Sequence, residues 1–192
     1  MDQRFEKNIY LIRKKMFKLA GAAFHIYDEA GGLLFYSKQK AFKLKEDIRL
    51  FESEAMTEEL LSIQARQVID FSAAYDVVDS KTNEKVGALQ RKGLKSILKD
   101  EWIVMDPNDR EIGIISEDSM ILALLRRFIT PLIPQTYIVT INGREVATFK
   151  QNFNPFVLKI TADFSGDVDK SLDRRLGLAA GVLLGAIEGR QN

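Results

Sequence analysis

Twelve uncharged residues, Leu176 to Ile187 (LGLAAGVLLGAI), run without a break between Arg174-Arg175 and Glu188. As a helix rising about 1.5 Å per residue they cover about 18 Å, well short of the roughly 30 Å hydrocarbon core of a bilayer. A helix that is apolar on all sides has no face for water, so this one is expected inside the protein and not across a membrane. Gly177, Gly181, Gly185 and Gly189 recur every four residues and line one side of it. An interior glycine costs about 1 kcal/mol of helix propensity relative to alanine, so the stripe predicts an element packed against nearly bare backbone. In lipid the same stripe would signal helix association, a reading that the length argues against. The closing helix is expected over about 170–188, and the rest of the chain has to enclose it.

A repeat suggests how. From residue 10 to about 117, four segments share a basic or polar start, apolar residues at alternate positions and a strand ending in an acidic turn. They are KKMFKLAGAAFHIYDE from Lys14, QKAFKLKEDIRLFES from Gln39, RQVIDFSAAYDVVDS from Arg66 and RKGLKSILKDEWIVMDP from Arg91. The turn acids Asp28, Glu52, Asp79 and Asp106 are 24, 27 and 27 residues apart. Gly31-Gly32, the Ser80 to Asn83 cluster and Pro107-Asn108-Asp109 supply turn chemistry, and each turn is followed by a returning strand. The unit reads as a β-hairpin. A period in the twenties also suits a solenoid, but hairpins on short connectors favour a sandwich or barrel, and a barrel leaves no exposed edge.

After Glu117 the pattern changes. Ile121, Leu122, Leu124, Leu125, Phe128, Ile129, Leu132 and Ile133 fall at helical spacing, which predicts a short amphipathic helix stopped before Pro131 and Pro134. Tyr137 to Ile141 and Glu145 to Lys150 flank Asn142-Gly143, the strongest two-residue hairpin signal. A last strand, Phe156 to Ala162, leads to the helix. Counting Tyr10 to Phe17 as the first, the expected total is twelve strands in a single domain spanning 1–192.

The composition, 46% hydrophobic and 29% charged, suits a soluble globular chain. With 28 basic against 27 acidic side chains, no excess of positive charge favours nucleic acid as a partner. There is no cysteine, which rules out disulfides, thiolate nucleophiles and sulfur-bound metals, and one histidine, His25. MDQRFEKNIY contains no apolar signal segment, so a cytoplasmic location is expected. No phosphate-binding glycine loop, nucleophile elbow or HExxH motif is present, and neither enzymatic activity nor a cofactor is expected.

The basic strand running into KKMFKLAGAAFHIYDEAG, the repeated strand-turn-strand units with acidic turns and the closing apolar helix resemble the LURP-one-related proteins. That family is grouped with the tubby C-terminal domains and the phospholipid scramblases. The resemblance covers nearly the whole chain and implies a mainly β fold, a twelve-stranded antiparallel barrel enclosing a hydrophobic C-terminal α-helix. Some members of the wider group bind phosphoinositides, some move lipids between leaflets, and many have no assigned activity. The Pro-rich N-terminal region and palmitoylated cysteines typical of scramblases are absent here, so S-acylation is excluded.

The resemblance and the recurring basic positions single out Arg13, Lys14, Lys38, Lys40, Arg91 and Lys92 as a candidate site for anionic phospholipid headgroups. Arg126 and Arg127 of the amphipathic segment would add to it, at about 1 kcal/mol per cation near a charged membrane. The competing reading is a solvated strand face. A protein-binding adaptor and a scramblase-like protein are the alternative functions. The turn ADFSGDVDKSLD offers Asp163, Asp167 and Asp169 as weak calcium ligands, but the EF-hand positions fail and capping by Asp167 or Asp169 is favoured. Arg174 and Arg175 are expected to pair with Asp163 or Asp173, and His25 to be an ordinary strand histidine. Trp102, Phe128, Phe153 and Phe156 are expected in the core, and Gln151 to Pro155 at a barrel mouth.

Overall fold

The computed structural model describes residues 2–17, 21–39, 47–66, 74–92, 101–118, 135–152 and 157–187. The predicted amphipathic helix, with Phe128, Phe153 and Phe156, lies outside them.

Twelve strands form a closed barrel in which each pairs antiparallel with its sequence neighbours and β12 closes onto β1. They are β1 (Ile9–Phe17), β2 (Gly21–Tyr27), β3 (Leu33–Gln39), β4 (Asp47–Phe51), β5 (Glu59–Ala65) and β6 (Ala74–Asp79), followed by β7 (Glu84–Arg91), β8 (Glu101–Met105), β9 (Glu111–Glu117), β10 (Thr136–Ile141), β11 (Arg144–Gln151) and β12 (Leu158–Asp163). Closure removes the exposed edges that an open sheet would present.

The sequence repeat has a structural counterpart. The hairpins β2–β3, β4–β5, β6–β7, β8–β9 and β10–β11 each carry a β-bulge just after the turn, where Leu34, Leu60, Val86, Ile112 and Val146 of the returning strand are the extra residues opposite Ile26/Tyr27, Leu50/Phe51, Val77/Val78, Val104/Met105 and Val139/Thr140. A bulge bends and twists its strand, and one per hairpin curves the sheet until it closes. The four turn acids then fasten their own turns. Asp28 accepts from the Gly32 N–H at 2.7 Å, and Glu52 from the Glu58 N–H at 2.8 Å and the Thr57 hydroxyl at 2.5 Å. Asp79 accepts from the N–H groups of Lys81 and Thr82, and Asp106 from those of Asn108 and Arg110. The hydrogen bonds that Glu52 accepts, from the Thr57 hydroxyl above all and from the Glu58 N–H, draw its pKa down to about 2. In the fifth hairpin Asn142 and Gly143 both take positive φ, 49° and 78°, as a turn of the I′ kind requires.

The helix α1 (Arg174–Ile187) is buried along its whole length except at Arg175 and Ile187. Its glycine stripe meets large side chains of the wall. A Cβ on Gly181 would lie 2.7 Å from Ile12 Cδ1, and one on Gly185 3.2 Å from Phe24 Cε1. A Cβ on Gly177 would run into the Phe164 ring. Each glycine is therefore the space that a side chain of β1, β2 or the β12–α1 turn fills. Trp102 is in the core as expected, 1% exposed. Among the described residues no helix is long and apolar enough to cross a membrane.

Both ends of α1 are satisfied by charge. Asp173 caps the N-terminus by accepting from the Arg175 N–H at 2.9 Å. The cap is thus Asp173, whereas Asp167 closes the preceding turn by accepting from the Ser171 and Leu172 N–H groups. At the other end Lys14, turned into the barrel and 2% exposed, donates from Nζ to the Gly185 carbonyl at 2.7 Å. A cation there answers both the unpaired carbonyls and the negative end of the helix dipole.

Candidate functional site

The register decides which basic side chains share a face. On β1, Tyr10, Ile12 and Lys14 are buried on the inner face, while Leu11, Arg13 and Lys15 alternate outward. Arg13 stands opposite His25 on β2 and Lys159 on β12, and His25 stands opposite Tyr36 on β3. Directly opposed residues project to the same side, so Lys159, Arg13, His25 and Tyr36 form one lateral row on the outer wall. The neighbouring row is Lys15, Ala23 and Lys38. Arg13, Lys15, Lys38 and Lys159 thereby come together, and among the described residues none of them forms an ion pair.

Several cations elsewhere on the wall are paired. Arg49 meets Asp47 and Glu59, Arg66 meets Asp76 and Asp109, Lys85 meets the same two acids, and Lys92 meets Glu101 at 3.0 Å. The sequence-derived set therefore divides. Arg13 and Lys38 belong to the unpaired face. Lys14 points inward to the helix end, and Arg91, opposite the core residue Trp102, shares the inner side with it. Lys92 is engaged with Glu101, and Lys40, Arg126 and Arg127 lie outside the described residues. Lys159 was missed because only barrel closure brings β12 beside β1.

His25 is 5% exposed, and its Nε2 lies 2.8 Å from Glu54 Oε1, a partner from the β4–β5 turn and not the nearby Asp28. Its ring stacks on Tyr27 at 6.2 Å and meets Tyr36 edge-on at 5.0 Å. The Arg13 guanidinium sits 5.8 Å over Tyr27.

The candidate calcium acids are occupied by structural work. Asp163 accepts from the Ser165 N–H, Asp167 fastens its turn, and Asp169 pairs with Arg144 at 2.9 Å. Arg174 lies over the Phe164 ring at 4.4 Å and 3.8 Å from Asp167, while Arg175 meets Asp173, Asp79 and Glu84. Asp173, not Asp163, is thus the acid of the expected pair that forms.

Arg175 and Asp79 line a cleft of about 240 Å³ together with Asp2, Phe5, Leu60, Lys81, Thr82 and Glu84. Burial alone would raise the Asp79 pKa, but hydrogen bonds from Arg175, Thr82 and Lys81 outweigh it and hold it below the usual carboxylate range. Asp2 and Asp76 are lowered in the same way, burial being outweighed by their hydrogen bonds. A carboxyl depressed in the folded state stabilises above its unfolded pKa, near 4, and that contribution is lost as pH falls through the folded value. Urea unfolding is accordingly expected to give constant stability from pH 7 to 5 and a decline below about pH 4. The slope is up to about 1.4 kcal/mol per pH unit for each proton taken up on unfolding. Asp79→Asn should flatten that decline, and an unchanged acid limb in the variant would remove Asp79 from the account.

A model of the LURP-one-related family matches residues 9–185. The X-ray structure of a protein from Arabidopsis thaliana is similar at a TM-score of 0.53 and 13% identity, covering 94% of this chain and 91% of that one. At that identity the likeness bears on the fold alone. No curated protein matches the chain in sequence. The family match runs from the start of β1 almost to the end of α1, through every strand of the barrel, and the chain belongs to the LURP-one-related family.

Proposed function

We propose that the chain is a non-enzymatic binding module, cytoplasmic and peripheral to membranes, whose outer face over β12, β1, β2 and β3 docks on anionic phospholipid headgroups. Family and fold support a binding or scaffold role. The observation that carries the lipid reading is the gathering of Arg13, Lys15, Lys38 and Lys159 without carboxylate partners, while Arg49, Arg66 and Lys85 are each paired. Unpaired cations on one wall leave a field for an external anion to satisfy.

The test is co-sedimentation with neutral and phosphatidylserine-containing vesicles at low and physiological salt. The protein should pellet only with the anionic vesicles, and salt should release it. At about 1 kcal/mol per cation, changing Arg13, Lys15, Lys38 and Lys159 together to Gln should weaken the association roughly a thousandfold. The double change Arg66→Gln, Lys85→Gln should matter far less. Protein that stays in the supernatant with every vesicle is the result a protein-binding adaptor gives, and it would overturn the lipid reading.

A further inference from the structure

We propose that Glu54 is a built-in competitor on the basic face, holding on His25 the place that an oxyanion of the ligand takes. The inference rests on the headgroup reading only for the source of that anion. His25 sits at the centre of the unpaired cations, in one row with Arg13 and Lys159 and beside the row of Lys15 and Lys38. Glu54 reaches it from the β4–β5 turn, and the two members of the contact differ sharply in burial. The imidazole side chain is 6% exposed and the carboxylate 66%.

That turn does not need Glu54 in order to close. Its own fastening is Glu52, which accepts from Ser53, Thr57 and Glu58. With Glu54 as acceptor, Nε2 of His25 carries the hydrogen and donates it. An incoming oxyanion accepts the same hydrogen once the exposed carboxylate swings into water.

One further donor in the row is buried without a hydrogen-bond partner, Nε of Arg13, on the residue directly opposite His25. Buried polar groups in folded proteins are nearly always paired, so this orphan donor beside His25 is a position that an external acceptor can fill. Arg13 Nε–H is a donor only, so a group that takes it together with His25 Nε2–H has to accept at both, and an anion with several oxygens suits two donors on neighbouring strands. A phosphate, sulfate or carboxylate has that chemistry, and either a lipid headgroup or a free anion could bring it.

The chain contains a single histidine, so the ring signals of His25 can be read by NMR without ambiguity. Wild type, Glu54→Gln and Glu58→Gln are titrated with sulfate against chloride at constant ionic strength, and separately with phosphatidylserine vesicles by co-sedimentation. Glu58 is the control, an acid of the same turn that pairs with Lys81 at 2.8 Å. Sulfate should shift the His25 signals, with a midpoint roughly fivefold lower in Glu54→Gln, the worth of one unit charge beside an anionic group. Glu58→Gln should follow wild type, and the vesicles should rank the three proteins in the same order. If sulfate acts as stated but no variant binds vesicles, the anion site stands with a free oxyanion as its ligand, and the headgroup reading falls. If sulfate leaves the Glu54→Gln ring unmoved, or moves all three proteins at one midpoint, Glu54 holds no ligand position and the proposal is overturned.

Discussion

A chain ending at residue 171 is expected not to fold. The deletion removes Leu172, Leu176, Leu178, Val182, Leu183 and Leu184, each at most 3% exposed, together with three buried alanines. At about 1.5–3 kcal/mol for each large apolar side chain fully buried, the six account for roughly 9–18 kcal/mol, against a net stability of about 5–15 kcal/mol for a typical domain. The loss extends to the wall, because Ile12, Phe24, Phe149 and Phe164 would then face a void where the helix backbone had been. Lys14 would keep its burial and lose the Gly185 carbonyl that its ammonium holds. Trp102 is the single tryptophan, 1% exposed, and reports the outcome. Its emission in the truncated chain should match that of the urea-unfolded protein, with no cooperative transition on titration. A soluble truncation with a sigmoidal melt and a shielded tryptophan would mean that the barrel stands without its helix.

Much of this fold could be read from the chain because the signals that set it are local. Alternation on each strand, the acid at each hairpin end, Asn142-Gly143 and the uncharged run of the helix all act within a few residues. The opening strand begins at Ile9, one residue before the expected Tyr10, and the helix begins at Arg174, four residues after the expected start. The delay follows from the cap: turns and not helix follow the expected caps Asp167 and Asp169, and helical backbone follows only Asp173. The five bulges left no readable trace, since a bulge is a relation between two strands and not a property of one.

The candidate face was legible only in part, for a related reason. Parity on β1 separates Arg13 from Lys14, and the side on which Tyr10 and Ile12 fall could have turned Lys14 inward from sequence alone. Lys159 and Glu54 could not have been found that way. Lys159 reaches Arg13 through the closure of β12 onto β1, and Glu54 reaches His25 across 29 residues of chain. What decides the site is long-range pairing, and charge clusters along the sequence merge residues that the pleat sends to opposite faces.

Gly181→Leu should be among the most damaging single substitutions, costing about 3 kcal/mol. A glycine inside a helix is ordinarily a weakness, and alanine there would regain about 1 kcal/mol of propensity. Against that gain stands the wall, with Ile12 Cδ1 2.7 Å and Phe149 Cε1 3.4 Å from where a Cβ would be. The end methyl of Ile12 can turn aside for a single carbon, so Gly181→Ala is expected to change stability little. Leucine adds three more carbons between β1 and β11, in a barrel whose ladders close on themselves and cannot part without losing hydrogen bonds. Overpacking of a core costs about 1–3 kcal/mol, and a closed wall places this case at the upper end. With urea m-values of about 1–3 kcal/mol/M, the midpoint should fall by at least about 1 M with m unchanged. A Gly181→Leu midpoint within about 0.2 M of wild type would show that the helix has room around it, and the four-residue glycine spacing would then need a cause other than close packing.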